Sequence, residues 1–230
     1  MTDRTDITVE GLRFRYGGVA GGFAMRVPEL TIPGGTRAAF HGPSGSGKTT
    51  LLHLIAGILR PDAGRIRVGG ADITALSPAS ARAFRISTLG FVFQDFALID
   101  YLDVENNVLY PYYLNPALRL TEDARSRARD LLGQLGLADK ARRRPTRLSQ
   151  GERQRVAICR ALVTGPRILM ADEPTGGLDP ERSASVMDLL DELVRERGIS
   201  LVMVTHDHSL FPRFDRTWDS RDWAEGKGGS

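Results

Sequence analysis

The 230-residue sequence has a single cysteine, Cys159, and no apolar run long enough to span a lipid bilayer. One cysteine excludes an internal disulfide and is typical of a protein that works in a reducing compartment. No apolar segment with a basic flank occurs near the N-terminus, so a secretory signal peptide is not predicted. We therefore expect a soluble, cytoplasmic protein, for which any membrane role would come through a partner.

Strong net charge and repetitive composition are also absent. The 31 Lys and Arg residues nearly balance the 28 Asp and Glu residues, and a net charge of +3 is too small to indicate nucleic acid binding. There are no internal repeats and no low-complexity tracts. Hydrophobic residues make up 41% of the chain, which excludes a disordered protein and is enough for the core of an α/β domain.

The strongest motif is glycine-rich, because residues 42–49 match G-x-x-x-x-G-K-[ST] at every fixed position. A short buried strand is predicted before it, at residues 38–40, and a helix after it, at 50–56. Glycines allow a tight turn whose N–H groups point into one concavity at a helix N-terminus, and such a concavity attracts phosphate oxygens. A glycine-rich turn with a chance lysine is the disfavoured alternative. The predicted nucleoside triphosphate contacts are Gly42, Pro43, Ser44, Gly45, Ser46, Gly47, Lys48, Thr49 and Thr50.

Strand-rich structure is predicted before this loop. Residues 7–16 alternate apolar and polar side chains. Residues 23–27 are a second strand candidate, and residues 30–32 follow shortly after. Tyr16 ends the first strand, where its ring could stack on a base or could be a half-buried strand aromatic. The pattern alone leaves both interpretations open.

A mainly helical insert is predicted from residue 95 to residue 146. Residues 103–108 could open a helix. The proline-containing segment 110–113 is predicted to interrupt that helix. Residues 121–135 predict an amphipathic helix capped by Thr121. Its apolar stripe is made of Ala124, Ala128, Leu131, Leu132 and Leu135.

Polar residues follow several predicted elements of the core. Ser149, with Glu152 three residues on, forms a capping box that starts a helix and offers a second phosphate site at its tip. Asp172 and Glu173 end a buried strand, where two acids are unfavourable unless they bind a cation or activate a nucleophile. The strand at 200–204 leads to His206, and Gln94 follows a buried strand at residues 89–93.

The motifs and the order in which they occur resemble those of the ATP-binding subunit of an ABC transporter, and the resemblance covers almost the whole chain. The segments that carry the resemblance are 42–49, Gln94, 148–152, 168–173, 177–179 and His206. The serine-containing helix start after the insert is specific to ABC ATPases, and residues 91–94 with 105–108 resemble the lipoprotein-release and macrolide-export type. The implied α/β fold is a P-loop NTPase core with a mainly parallel sheet, an N-terminal antiparallel β subdomain and an inserted α-helical subdomain. We expect one domain, with a core at 1–94 and 147–225, an insert at 95–146 and a frayed tail at 226–230.

The resemblance also implies roles for the residues of each site. Tyr16 would stack on adenine, and Thr49, Gln94 and Asp172 would surround Mg²⁺. The catalytic residues would be Glu173, which polarises the attacking water, Gln94, which senses Mg²⁺ and the γ-phosphate, and His206, which contacts the γ-phosphate. Ser149, Gln150 and Gly151 would complete the ATP site of a second copy of the chain, with Asp179 at the seam of this ATP-sandwich dimer.

A subunit of this kind hydrolyses ATP with Mg²⁺ and powers a separate transmembrane permease for export or for extrusion of a lipid, lipoprotein or peptide. We expect it on the cytoplasmic face of the inner membrane, with no nucleic acid partner. A soluble ABC ATPase acting on ribosomes or DNA is the alternative, but neither a second cassette nor a long coiled-coil insert is visible. A binding module that holds ATP without turnover is a further alternative, against which the intact Glu173 and His206 argue.

Some positions depart from the pattern of the family or leave two interpretations open. Gln150 and Gly177 replace a commoner glycine and a commoner asparagine or alanine, and His41 stands where an aliphatic residue is usual. We favour a structural, hydrogen-bonded role for His41 over a functional one. The apolar residues of segment 95–102 could pin the insert to the core, or they could form the groove in which the resemblance places the permease.

Overall fold

The computed structural model describes residues 5–16, 23–116 and 118–223, so the predicted tail at 226–230 lies outside the described residues. They form two compact units, one made of the described residues up to Arg82 and from Gly198 onward, the other of Ala83–Arg197. The predicted boundaries of the insert stay a prediction. Within these ranges, no helix combines the length and the apolar character that crossing a membrane requires.

The predicted α/β class is confirmed. The strands are β1 (Ile7–Arg15), β2 (Ala24–Ile32), β3 (Arg37–His41), β4 (Ala63–Val68), β5 (Ala71–Asp72), β6 (Leu89–Val92), β7 (Ile168–Asp172), β8 (Ser200–Val204) and β9 (Arg216–Asp219). The α-helices are α1 (Lys48–Ile55), α2 (Pro78–Thr88), α3 (Val104–Leu114), α4 (Glu122–Gln134), α5 (Gln150–Leu162) and α6 (Pro180–Arg197). Short 3₁₀ helices occupy Ile73–Ala75, Ala138–Lys140, Pro145–Arg147, His208–Arg213 and Ser220–Asp222.

The first unit contains the predicted antiparallel sheet, in the order β2-β1-β4-β5. β1 pairs with β2 from Ile7 opposite Ile32 to Arg15 opposite Ala24. The strand segments predicted at 23–27 and 30–32 belong to one strand, because β2 runs without a break through Pro28. Among the described strands β2 lies at the edge of its sheet, where the missing N–H of a proline removes no necessary ladder bond.

β3 leads into the glycine-rich loop and pairs in parallel with both β8 and β9. Ala38, Ala39 and Phe40 are fully buried, as the apolar run predicted. The Phe40 ring packs edge-on against Trp223, with ring centroids 5.1 Å apart. The loop therefore follows the carboxyl end of a central parallel strand, which is where α/β folds bind ligands.

In the second unit, β6 and β7 form a parallel pair, and helices α3 and α4 pack on α5. The amphipathic helix was predicted correctly: the Thr121 hydroxyl accepts the N–H of Ala124 at 3.3 Å and caps α4. The whole predicted stripe is buried, comprising Ala124, Ala128, Leu131, Leu132 and Leu135.

The predicted interruption at 110–113 was wrong, since α3 continues through Pro111 to Leu114. A proline inside a helix removes one backbone hydrogen bond, but tertiary packing supplies compensation here. Val108 and Leu109 on the turn before it are fully buried, and the Tyr112 hydroxyl after it donates to the Val163 carbonyl at 3.2 Å.

Candidate functional site

The glycine-rich loop of the first unit has the backbone that a phosphate cradle needs. Gly42, Gly45 and Gly47 all have positive φ, at 132°, 75° and 95°, which other residues adopt only with strain. Gly47 is the N-cap of α1 and supplies no side chain to the N–H groups of the first turn. These donors, at the positive end of the helix, can therefore bind an anion.

Lys48 is folded into this loop and is 6% exposed. Its Nζ donates hydrogen bonds to the carbonyl oxygens of Gly42 at 3.0 Å and Pro43 at 2.8 Å. A buried ammonium held by loop carbonyls places positive charge inside the concavity. The loop thus fits a triphosphate in shape and in charge.

Ser220 supports the same loop, and the sequence analysis missed it. The Ser46 hydroxyl donates to the Pro43 carbonyl at 2.6 Å and lies 2.5 Å from the hydroxyl of the fully buried Ser220. A Cβ on Gly42 would collide with the Ser220 side chain, so this glycine is needed for close approach as well. No local pattern could have revealed a contact between residues 174 positions apart.

Tyr16 follows β1 and is 46% exposed. Its hydroxyl lies 3.3 Å from the Thr50 hydroxyl, and its ring packs edge-on against Phe14 with centroids 4.9 Å apart. The structure thus places the exposed aromatic ring next to the first turn of α1. Stacking on adenine stays a prediction.

The two histidines considered from the sequence lie in different surroundings within the first unit. His206 is exposed in the loop after β8, as expected of a group that meets a ligand. The His41 ring packs against Phe211, with centroids 4.6 Å apart, and its Nδ1 lies 3.9 Å from an oxygen of Asp219. That distance is an ion-pair separation, longer than a hydrogen bond.

Asp219, which lies near His41, is also held by Arg221. Hydrogen bonds from the Arg221 side chain and backbone N–H lower the pKa of Asp219 from 3.8 to about 2. Its Oδ1 accepts the Arg221 N–H at 2.9 Å and caps the 3₁₀ helix that begins with Ser220. Asp219 therefore holds the segment that supports the loop.

In the second unit, β7 delivers the two predicted acids. Asp172 is 4% exposed at the end of the strand, and Glu173 is half-buried directly after it. Glu173 has a φ of 45°, a left-handed conformation that costs a non-glycine residue about 1–2 kcal/mol. Its carbonyl accepts the N–H of Gly176 at 2.9 Å, which stabilises the turn. Strain of this kind concentrates at active sites, where it fixes the direction of a side chain.

The loop after β6 carries Gln94, which is exposed. Two residues later, Phe96 and Ala97 are both left-handed, with φ of 62° and 45°. The guanidinium of Arg160 donates to both of their carbonyl oxygens at 2.5 Å. Burial lowers the pKa of Arg160 to about 10. The sequence analysis missed Arg160, which stands among the apolar residues 156–162 of α5 with no local signal of its partner.

The predicted capping box is confirmed at the start of α5. The Ser149 hydroxyl accepts the Glu152 N–H at 3.3 Å, and a Glu152 carboxylate oxygen accepts the Ser149 N–H at 2.7 Å. This second hydrogen bond and Lys140, whose Nζ lies 3.5 Å from Glu152, lower the pKa of that carboxyl group. A Cβ on Gly151 would meet nothing within 4 Å, so the helix tip is open around Gly151.

The turn before α6 accounts for one departure from the family pattern. Gly177 has a φ of 74°, which glycine adopts without strain, so glycine suits this position better than alanine. A Cβ there would lie 3.8 Å from the Gln150 amide nitrogen. Asp179 accepts the N–H of Arg182 at 2.9 Å and caps α6, a local role that accompanies the seam role implied by the resemblance.

The residues predicted to bind Mg²⁺ carry oxygen donors of the kind that this ion prefers. In the described part of the chain, no three His, Cys, Asp or Glu side chains cluster as a metal site. Mg²⁺ is normally bound by one or two protein oxygens together with phosphate and water, and it needs no such cluster. The buried carboxylate of Asp172 and the hydroxyl of Thr49 are oxygen donors of the required type.

Comparisons with known proteins agree with these features. A family model described as ABC transporter matches residues 25–176. The lipoprotein-releasing system ATP-binding protein LolD of Geobacter metallireducens is 44% identical over 188 residues, which are 82% of this chain and 83% of that protein. The dimeric structure of MJ0796, a bacterial ABC transporter cassette, is similar at a TM-score of 0.81 and 32% identity, over 93% of this chain and 94% of that one. A dimeric post-hydrolysis structure of MJ0796 with ADP and Pi has a TM-score of 0.81 at 31% identity, over 93% of both chains.

Proposed function

Because the chain belongs to the ABC transporter family, we propose that it is the ATP-hydrolysing subunit that drives lipoprotein release by a membrane permease. The observation that carries the proposal is 44% identity to a lipoprotein-releasing ATP-binding protein, 83% of which aligns with this chain. All residues that the family resemblance assigns to ATP hydrolysis are present in the sequence.

Nucleotide binding is assigned to the loop of the first unit. The loop amides and the Lys48 ammonium bind the phosphates, and the exposed Tyr16 ring stacks on the base. Lys48 would exchange its two carbonyl partners for phosphate oxygens, which are charged and therefore stronger acceptors.

Hydrolysis is assigned to Glu173, His206 and Gln94. Glu173 accepts a hydrogen bond from the attacking water and polarises it with its carboxylate, whose direction the strained, left-handed backbone helps to fix. His206 positions the same water relative to the γ-phosphate. Thr49, Gln94 and Asp172 would hold Mg²⁺, which when bound neutralises charge on the β- and γ-phosphate oxygens.

Two copies of the chain would complete each other's sites. Ser149, Gln150 and Gly151 stand at the tip of α5, whose N-terminal dipole suits the phosphates bound by the second copy. The open space around Gly151 allows a partner to approach the tip closely. Binding ATP across the seam would bring the two copies together.

The cargo assignment is tested by reconstitution. The tagged chain is purified from detergent-solubilised membranes of its source, and the permease that elutes with it is placed in proteoliposomes with a fluorescent lipoprotein. We expect release of the lipoprotein with ATP and Mg²⁺, and none with a non-hydrolysable ATP analogue. ATP hydrolysis by the assembled complex without release would contradict lipoprotein as the cargo, while it would leave the ATPase assignment intact.

A further inference from the structure

We propose that Arg160 is a positioning residue for ATP hydrolysis, because its guanidinium fixes the left-handed turn that follows Gln94. The inference rests on the role proposed for Gln94 in the hydrolytic site, and it adds a residue that neither the sequence motifs nor the family comparison assigns. All the groups involved lie in the second unit of the structure.

The contact is specific in its geometry. Nη1 of Arg160 donates to the carbonyl of Ala97 and Nη2 donates to the carbonyl of Phe96, both at 2.5 Å. The two nitrogens of one planar group thus bind two successive carbonyl oxygens of the same turn. A fork of this kind fixes orientation as well as distance, which a single donor cannot do.

The turn needs such support. Phe96 and Ala97 are two adjacent non-glycine residues with φ of 62° and 45°, a conformation that L-residues rarely adopt even singly. One local hydrogen bond, from the Phe96 N–H to the Phe93 carbonyl at 3.0 Å, closes the turn. The guanidinium is the charged group that binds both strained residues, so its removal would let the turn relax to ordinary φ values.

Arg160 is itself held in place. It is 9% exposed on the last turns of α5, among residues that are almost all buried. Burial disfavours its charge and lowers its pKa, while the carboxylate of Asp95 favours the charged form. Burying a cation is unfavourable unless its donors find acceptors, and the acceptors found here are the carbonyls of the turn after Gln94. The position of Gln94 is thereby tied to a rigid helix.

The alternative is that Arg160 stabilises the fold without bearing on hydrolysis. Three variants separate the two roles. Arg160→Met keeps the length and removes the donors, Arg160→Lys keeps the charge with a donor that cannot fork, and Arg160→Met with Ala97→Gly adds a residue that accepts positive φ without strain. Arg153→Met is the matched control, since Arg153 is exposed on the same helix.

Four measurements are made on the full chain: thermal melting, ATP binding in EDTA, hydrogen exchange of residues 93–98, and the Mg²⁺ dependence of ATP hydrolysis. In Arg160→Met we expect unchanged ATP binding in EDTA and faster exchange at Phe96. We also expect the half-saturating Mg²⁺ concentration to rise about tenfold or more and kcat to fall by a similar factor. Loss of hydrogen bonds from a charged group implies effects of this size. Arg160→Lys should be intermediate, and Ala97→Gly should restore part of the loss.

The outcomes are distinguishable. If Arg160→Met lowers the melting temperature but leaves Mg²⁺ dependence and kcat unchanged, or if Ala97→Gly restores nothing, the inference is overturned. If Arg160→Met does not fold, the comparison of Arg160→Lys with Arg153→Met decides in the same way. Gln94→Ala is the reference for the proposed function: unchanged Mg²⁺ dependence in that variant would contradict the role of Gln94, and the Arg160 inference would fall with it.

Discussion

The ammonium of Lys48 donates a hydrogen bond to the carbonyl oxygen of Pro43, five residues earlier in the same loop, at 2.8 Å. The lysine of the phosphate loop is therefore held by its own backbone and keeps its positive charge. A carbonyl is a weaker partner for an ammonium than a phosphate is, so this contact can give way to nucleotide at low energetic cost.

We expect Lys48→Ala to weaken ATP binding by about 10- to 100-fold, because it removes charge-assisted hydrogen bonds to the phosphates. Binding of a fluorescent ATP analogue to the purified chain measures this directly. Arg67→Ala is the control, since it removes the same charge from an exposed position on β4. Equal ATP affinity in the two variants would contradict the role assigned to the loop.

Glu173→Gln should leave ATP binding intact and reduce turnover by roughly 100- to 10,000-fold, the range for loss of a general base. The reason is that Glu173 acts on the reacting water and contributes to the transition state rather than to ground-state binding. Steady-state kinetics and equilibrium binding on the same preparation check both parts. Glu181→Gln, an exposed glutamate in the first turn of α6, should hydrolyse ATP normally.

ATP, but not ADP, should convert the Glu173→Gln variant from monomer to dimer, because each site lacks the α5 tip of a second copy. Light scattering coupled to gel filtration measures the mass. Adding Gly151→Asp tests the seam: its side chain enters open space and suits the first turn of a helix, so the fold should survive. The carboxylate should nevertheless repel the partner's phosphates and keep the protein monomeric, and a dimer in that variant would exclude the α5 tip from the seam.

Leu98→Glu should abolish recruitment to permease-containing membranes and spare ATP binding. In the segment 95–102 no residue is fully buried, and the Tyr101 side chain is 75% exposed, which favours an open patch over a buried pin. Leu98 is half-buried, and Leu114→Glu provides the same change at an exposed leucine of the same unit, 49% exposed. Flotation with permease-containing membranes measures recruitment of each variant. If the Leu98→Glu variant still floats with the membranes, the segment 95–102 is not part of the permease interface.

Asp219→Asn should destabilise the protein at neutral pH, and the difference from the parent should vanish in acid. The pKa of Asp219 is lowered in the folded state, from 3.8 to about 2, so the carboxylate stabilises the fold above pH 3.8. That contribution is lost as the pH falls through the interval between 3.8 and 2. Urea unfolding at a series of pH values measures it, with the exposed Asp222→Asn as control. If the free energies of unfolding of the parent and Asp219→Asn differed by the same amount at every pH, the Arg221 hydrogen bonds would not be the cause.

Features that depend on near neighbours in the chain could be predicted from the sequence. The glycines of the phosphate loop, the reciprocal capping by Ser149 and Glu152, and the Thr121 cap of α4 were found where the sequence placed them. Each is a contact within a few residues, and its energy depends on local backbone geometry. The order of these motifs was likewise enough to indicate the family.

Features that depend on distant packing were decided by the tertiary structure. The sequence predicted an interruption at Pro111, yet the helix continues through it with one face buried. Pro28 lies inside an edge strand, which accommodates it. Ser220 and Arg160 carry no local signal, because their partners lie 174 and 64 residues away. The left-handed backbone at Glu173 is equally invisible in the sequence, since such strain persists only where surrounding contacts outweigh it. The sequence thus determined which groups the site has, and packing across the fold decided how firmly each is held.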